Sequence, residues 1–171
     1  NSAATVAYDS QNLPAGEVFT APVETTVSGT VHFDVPMMIH DSQIRDAVVT
    51  FEDGTVVEYD ATAGVETLAQ ILDTDPGARR LGEVGIGMNR GIDQITNNIL
   101  FDEKMGDTVH FAVGRAYDAC LPAGESGNDS AVHVDLITDI GSGAQIEIDN
   151  EVIQRNGRFQ WEPEFDSSKV S

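Results

Sequence analysis

Apolar and polar residues alternate along most of this chain with a period near two, the repeat of a half-buried strand rather than of a helix. Thr26 to Phe33, Ile44 to Phe51 and Val56 to Tyr59 each carry the alternation. The last two are joined by Glu52-Asp53-Gly54-Thr55, whose Asp-Gly pair suits a tight hairpin turn. Glu17 to Pro22 reads as extended, because nearby prolines disfavour helical backbone. Val109 to Val113 and Ala131 to Ile140 read as core strands. Gln145 to Ile148, Val152 to Gln154 and Arg158 to Trp161 form a closing meander, with turns at Asp149-Asn150 and Asn156-Gly157. Helical spacing is clear only from Val65 to Asp73, where Leu68, Ile71 and Leu72 share a face and Pro76-Gly77 follows as a stop. Leu81 to Ile86 is apolar but broken by glycines, which predicts a close approach of backbone to something else. Ile92 to Leu100 fits a helix or a loop. Strands outnumber helices, so the fold class is α+β, a predominantly antiparallel sheet or open barrel with a few short helices. Residues 1–11 are expected to be a flexible arm or linker remnant, 12–162 one domain, and 163–171 a polar tail.

At 171 residues the chain suits one domain, large enough to bury roughly 70% of its unfolded surface. No apolar run approaches the ~20 residues of a membrane span, and no export leader is evident. The chain begins with Asn, which suggests a piece of something longer. Its one cysteine, Cys120, permits no internal disulfide and fits a reducing, cytoplasmic setting. Charge changes the picture more. There are 29 acidic residues against nine basic ones, a formal net charge of -20, and the only lysines are Lys104 and Lys169. The acids are dispersed rather than gathered in a tail. Such a surface repels phosphate backbones and anionic lipid, which argues against nucleic acid and membrane partners. A dispersed acidic excess with scarce lysine is favoured where concentrated salt screens self-repulsion, so a halophilic source is expected.

Candidate chemistry centres on Ser130-Ala131-Val132-His133-Val134-Asp135-Leu136-Ile137. On a strand His133 and Asp135 project from one face, and an imidazole beside a carboxylate among Val, Leu and Ile is costly to bury without a partner. A divalent cation is one such partner; a plain His–Asp hydrogen bond within a sheet is the other. Further carboxylates and imidazoles lie in Gly16-Glu17-Val18, Gly82-Glu83-Val84, Phe101-Asp102-Glu103-Lys104 and Thr108-Val109-His110-Phe111. Oxygen and nitrogen donors without thiolate suit Zn, Co, Mn or Mg in a catalytic rather than a structural site. The glycines before Glu17 and Glu83 would let backbone approach an ion. Taken singly, each also reads as a solvated turn residue or a hydrogen-bonded core histidine. His32 and His40 lack such company and read as surface or structural. Tyr117 packs by default, or donates to a developing oxyanion if it stands near a metal.

Four segments resemble the motifs of the thermophilic aminopeptidase family, the aminopeptidase T and AmpS-type metallopeptidases. They are Asn12 to Pro22, Arg80 to Gly87, Ile99 to Lys104 with Thr108 to Gly114 and Tyr117, and Asn128 to Asp135. They occur in the family's order and span Asn12 to about Trp161. The resemblance implies that residues 12–162 are a metallopeptidase catalytic domain, the metal-bearing half of a two-domain enzyme whose α/β first domain is missing here. It implies that Glu17, Glu83, His110, His133 and Asp135 hold two divalent metal ions, with Glu103 a further ligand. Tyr117 would be the catalytic tyrosine, and a carboxylate, Glu17 by preference, would carry the proton from water to the leaving amine. The implied reaction is two-metal hydrolysis of the N-terminal peptide bond, on peptide substrates with a free N-terminus, by a homodimer. A second reading, of a different class, is a non-catalytic metal-binding or assembly module left by loss of the N-terminal domain. A third, in which His133 and Asp135 are core hydrogen-bond partners, predicts no metal.

Overall fold

A computed structural model describes residues 4–7, 13–39, 41–163 and 165. The strands are Ala4–Ala7 (β1), Glu17–Thr20 (β2), Gly29–Phe33 (β3), Met37–Ile39 (β4), Ser42–Ile44 (β5), Ala47–Glu52 (β6), Thr55–Asp60 (β7), Leu81–Gly87 (β8), Thr108–Gly114 (β9), His133–Asp139 (β10), Gln145–Ile148 (β11), Glu151–Arg155 (β12) and Arg158–Phe159 (β13). Two α-helices, Val65–Leu72 (α1) and Ile99–Asp102 (α2), accompany them. The main sheet runs β1-β2-β8-β9-β10, and smaller sheets run β3-β6-β7, β4-β5 and β11-β12-β13. Every strand pair in them is antiparallel. The α+β expectation holds in its sheet form; the strands do not close into a barrel.

The core lies between one face of the main sheet, the inner face of β3-β6-β7 and α1. Ala47, Val49 and Phe51 point inward from β6 while Val48 and Glu52 are exposed, the period-two pattern read from the sequence. Leu68, Ile71 and Leu72 bring the apolar stripe of α1 against them, and Leu81, Val113 and Leu136 come from the main sheet. The hairpin between β6 and β7 turns at Asp53 and Gly54, both with positive φ (46° and 78°), as a two-residue turn of this hand requires. The closing meander turns where expected, with positive φ at Asp149, Asn150, Asn156 and Gly157.

Some expectations need correction. Ala4–Ala7, read as part of a flexible arm, pair with Glu17–Thr20 as the edge strand of the main sheet; small side chains carry little periodic signal, and the partner strand supplies the order. Strand β3 starts at Gly29, because Glu24–Thr26 close into a 3-10 turn. Residues 92–98 are loop, and only Ile99–Asp102 are helical, capped by the Asn98 side chain on the Leu100 N–H. The hairpin of β4 and β5 carried too few residues to show in the pattern. His32 is exposed beside Asp46 at 3.7 Å, a surface residue as expected. Asn12, His40 and most of the polar tail lie outside the described residues.

Candidate metal centre

Strand alternation puts the candidate ligands on the face of the main sheet opposite the core. The register pairs Glu17 with Gly87 and Phe19 with Gly85 across β2 and β8. It pairs Glu83 with Ala112 and Gly85 with His110 across β8 and β9, and Asp135 with Ala112 and His133 with Gly114 across β9 and β10. Glu17, Glu83, His110, His133 and Asp135 therefore rise from one floor, and the positions between them are Gly85, Gly87, Ala112 and Gly114. Small residues make the room: a Cβ on Gly85 would lie 2.8 Å from Cδ2 of His110 and closer still to Cε1 and Nε2.

One irregularity sets Glu83. Leu81 pairs with Val113 and Glu83 with Ala112, so Gly82 is an extra residue, a β-bulge. Leu81 and Glu83 would share a face on a regular strand. The bulge sends Leu81 into the core, where it is fully buried, and Glu83 to the site. Gly82 packs against the carbonyls of Gly114 and Arg115, leaving no space for a side chain. Gly16 (φ 121°) likewise meets Asn89, whose Cβ would be 2.8 Å from an added one. The glycines before Glu17 and Glu83 thus serve contacts with the protein's own chain rather than with an ion.

Two overlapping groups of ligand atoms result, Glu17 with Glu83 and His110, and Glu83 with His133 and Asp135; within each, one atom per residue lies within 4.8 Å of the others. His110 Nε2 is 3.2 Å from Glu83 Oε1 and 3.5 Å from Glu17 Oε2. His133 Nε2 is 3.7 Å from Asp135 Oδ2 and 3.9 Å from Glu83 Oε2. The other nitrogen of His133, Nδ1, is 2.7 Å from the Arg115 carbonyl. A carbonyl only accepts, so Nδ1 carries the proton and Nε2 presents its lone pair to the site. Glu103 closes the wall from the end of α2 and lines the same cavity, of about 580 Å³, as Glu17, Glu83, His133 and Asp135. Phe19, Ile99, Leu100 and Ala119 supply its apolar side. Tyr117 is half exposed at the mouth, its ring centroid 4.5 Å from that of His133.

The electrostatics are those of a crowded acidic site. Burial raises the Asp135 carboxyl to about 6 despite the opposing pull of His110 and His133. Burial and the neighbouring Glu103 raise Glu17 against the pull of Lys104 and His110. Burial works to lower His110, but the hydrogen bond it donates to Glu83 and the charges of Asp135, Glu83 and Glu17 prevail and leave it raised. Tyr117 is pushed up to about 12, by burial first and then by the surrounding carboxylates, so at neutral pH it is a phenol that can donate. Among the described residues, Glu83 Oε2, Asp135 Oδ1 and His110 Nδ1 are buried without a hydrogen-bond partner. Buried carboxylate oxygens left without a partner are costly, and a hard or borderline divalent cation satisfies those of Glu83 and Asp135; His110 faces the site through its other nitrogen, Nε2. The donor set, carboxylate oxygens and imidazole with no thiolate, fits such an ion.

All seven side chains singled out from the sequence border this site. Others were missed. Lys104 is wholly buried, with Nζ 3.0 Å from Glu17 Oε1 and hydrogen-bonded to Glu103; lysine is ordinarily a surface residue, and its only signal was its place beside Glu103. Asn89 ties two ligand segments together, its amide donating to the Ala15 carbonyl and its backbone N–H to that of Lys104. Asp75 accepts from the N–H groups of Gly77, Ala78 and Ala131 and from the Ser130 hydroxyl, pinning the lead into β10. The Ala131 N–H above all, with Ser130, Ala78 and Gly77, holds its carboxyl below the usual range.

A model of the thermophilic metalloprotease (M29) family matches residues 2–159. The chain belongs to that family. Among curated relatives, aminopeptidase 2 of Geobacillus stearothermophilus is 39% identical over 88% of this chain and 40% of its own length. Aminopeptidase T of Thermus aquaticus is 38% identical over 81% of this chain and 36% of its own. The chain thus spans well under half the length of these relatives. The solved structure of wild-type AmpT from Thermus thermophilus superposes with a TM-score of 0.77 at 33% identity, over 94% of this chain and 44% of that one. A 2,5-dihydroxypyridine dioxygenase from Pseudomonas putida shares the fold, with a TM-score of 0.63 at 16% identity. Among the described residues no helix is long and apolar enough to cross a membrane.

Proposed function

We propose that this M29 chain is the metal-bearing part of an aminopeptidase that uses two divalent ions, Zn, Co, Mn or Mg, to hydrolyse the N-terminal bond of peptides with a free N-terminus. The observation that carries the reading is the pair of ligand groups sharing Glu83, with unpartnered buried oxygens on Glu83 and Asp135. Glu17, Glu83 and His110 would hold one ion and Glu83, His133 and Asp135 the other, with Glu103 a further ligand. When bound, such ions polarise a carbonyl and make water a usable nucleophile near neutral pH. The chain's own residues do the rest. His133 is held in its ligating tautomer by the Arg115 carbonyl. Tyr117, a phenol at neutral pH, stands at the mouth of the cavity to donate to the oxygen on which charge develops. Glu17 and Glu103, on the wall of the cavity, are the carboxylates placed to move a proton between water and the leaving amine; Glu17 is our choice. Phe19, Ile99 and Leu100 exclude water from the side where the substrate's first side chain would lie.

A homodimer, a cytoplasmic setting and a halophilic source belong to the same proposal; the dispersed charge of -20 supports the last. The test is an aminoacyl-anilide assay on this chain and on its fusion to the remaining segment of a relative, before and after chelation. Activity that survives complete removal of metal refutes the mechanism. Metal uptake with no turnover in either form would instead indicate a non-catalytic metal-binding module.

A further inference from the structure

Four buried carboxylates, Glu17, Glu83, Glu103 and Asp135, converge on the cavity, which the exposed Asp118 also lines, and a buried ammonium stands behind Glu17 and Glu103. Lys104 is one of two lysines in the sequence and is entirely buried. Its backbone is fixed on both sides, the N–H donating to the Phe101 carbonyl and the carbonyl accepting from Asn89. Its ammonium reaches Oε1 of Glu17 at 3.0 Å and Oε1 of Glu103. The other oxygen of Glu17, Oε2, is the one that faces His110 Nε2, at 3.5 Å. One oxygen of each carboxylate is therefore occupied by the protein.

We propose that Lys104 is the positioning residue of this carboxylate set: by occupying Oε1 of Glu17 and of Glu103 it favours one-oxygen donation by each and keeps the metal-free site assembled. The inference deepens the two-ion reading and rests on it. Each consequence follows from the geometry. An ammonium held on one oxygen draws charge from it and makes it the poorer donor, so an ion binds preferentially through the other oxygen and Lys104 favours the lower coordination number. Like charges crowded into a low-dielectric wall repel, and a fixed ammonium offsets that repulsion when no ion is present. Once ions are bound they supply the same compensation, so the metal-free protein depends on Lys104 more than the loaded one does.

The experiment is a cobalt(II) titration of the metal-stripped chain, wild type against Lys104→Met and Lys104→Gln, with visible absorption and thermal melting before and after loading. Cobalt bands weaken and shift as coordination number rises. The expected result for Lys104→Met is the wild-type number of cobalt ions with weaker, shifted bands, and a loss of Tm several degrees greater without cobalt than with it. A variant that folds only when cobalt is present is the extreme form of the same result. Lys104→Gln, which keeps a donor but no charge, should fall between. Unchanged bands in Lys104→Met, or equal losses of Tm in the two states, overturn the proposal, since a residue that only fills the core lowers both alike. Failure of both variants to fold even with cobalt overturns it as well, by assigning Lys104 to the core. A wild-type chain that takes up one cobalt refutes the two-ion reading instead, and the band comparison at that ion still decides Lys104. No uptake refutes both.

Discussion

Replacing Gly85 by Ala would add one methyl group directly beneath the His110 imidazole. The new Cβ would stand 2.8 Å from Cδ2 and nearer to Nε2 and Cε1, whereas ordinary contact begins at 3.4 Å. The ring must therefore retreat by at least 0.6 Å at its most distant contacting atom (3.4 less 2.8), and by more at Nε2. His110 is fully buried, so no solvent gap receives it. Metal–ligand distances tolerate only about 0.2 Å, which makes the displacement at least three times what the site can absorb. Overpacking costs about 1–3 kcal/mol, while Ala in place of Gly within a strand returns roughly 0.5–1 kcal/mol. The net loss of stability is then at most about 2.5 kcal/mol, and the protein should remain folded. Metal affinity should suffer more: misplacing even an outer partner of a ligand costs about 10–100-fold, and here a ligand itself moves. Isothermal titration of metal-stripped Gly85→Ala with zinc, beside a thermal melt, measures both. Wild-type affinity and stoichiometry in a folded Gly85→Ala variant would show that His110 Nε2 takes no part in the site.

Tyr117→Phe should leave metal content and Tm unchanged while lowering kcat roughly 10²–10³-fold, the scale of one lost oxyanion donor; equal turnover removes Tyr117 from the chemistry. Leu68→Ala, in the core on the far side of the sheet, should cost about 2–5 kcal/mol in urea unfolding without changing metal affinity, and a changed affinity would argue that core and site are coupled. Arg90 pairs with Glu162, Asp107 and the Gly157 carbonyl, and above all its hydrogen bond holds the Glu162 carboxyl down at about 2. Since that folded value lies below the ordinary 4.5, the stabilisation is complete above pH 4.5 and lost as pH falls toward 2. Glu162→Gln should therefore flatten the fall in Tm across that window and do nothing to its shape above it; an unaltered acid limb contradicts the pairing.

Much of this molecule could be read from the chain, for reasons particular residues make plain. The hairpin at Asp53-Gly54 and the turns at Asn150 and Asn156-Gly157 declared themselves because left-handed backbone selects for Gly and Asn. Helix α1 was visible since Leu68, Ile71 and Leu72 lie on one stripe. The face carrying His133 and Asp135 followed from the two-residue repeat. What stayed hidden depends on pairings distant in sequence. Ala4–Ala7 become a strand only because Glu17–Thr20 lie alongside. No local rule buries Lys104, which belongs inside only because carboxylates from Glu17 and Glu103 meet there. Gly16 and Gly82 were visible as special positions, but the atoms they make way for, Asn89 and the carbonyls of Gly114 and Arg115, come from elsewhere in the chain.

The extra residue at Gly82 breaks parity along its strand. Two positions an even number apart normally look the same way, yet Leu81 and Glu83 look opposite ways. Straightening the bulge with all three residues kept in the ladder would bring an oily side chain up among the acids or turn an acid inward among the oils. The glycine thus serves as a spacer that stays out of the count, and through it two side chains of opposite character keep opposite surroundings.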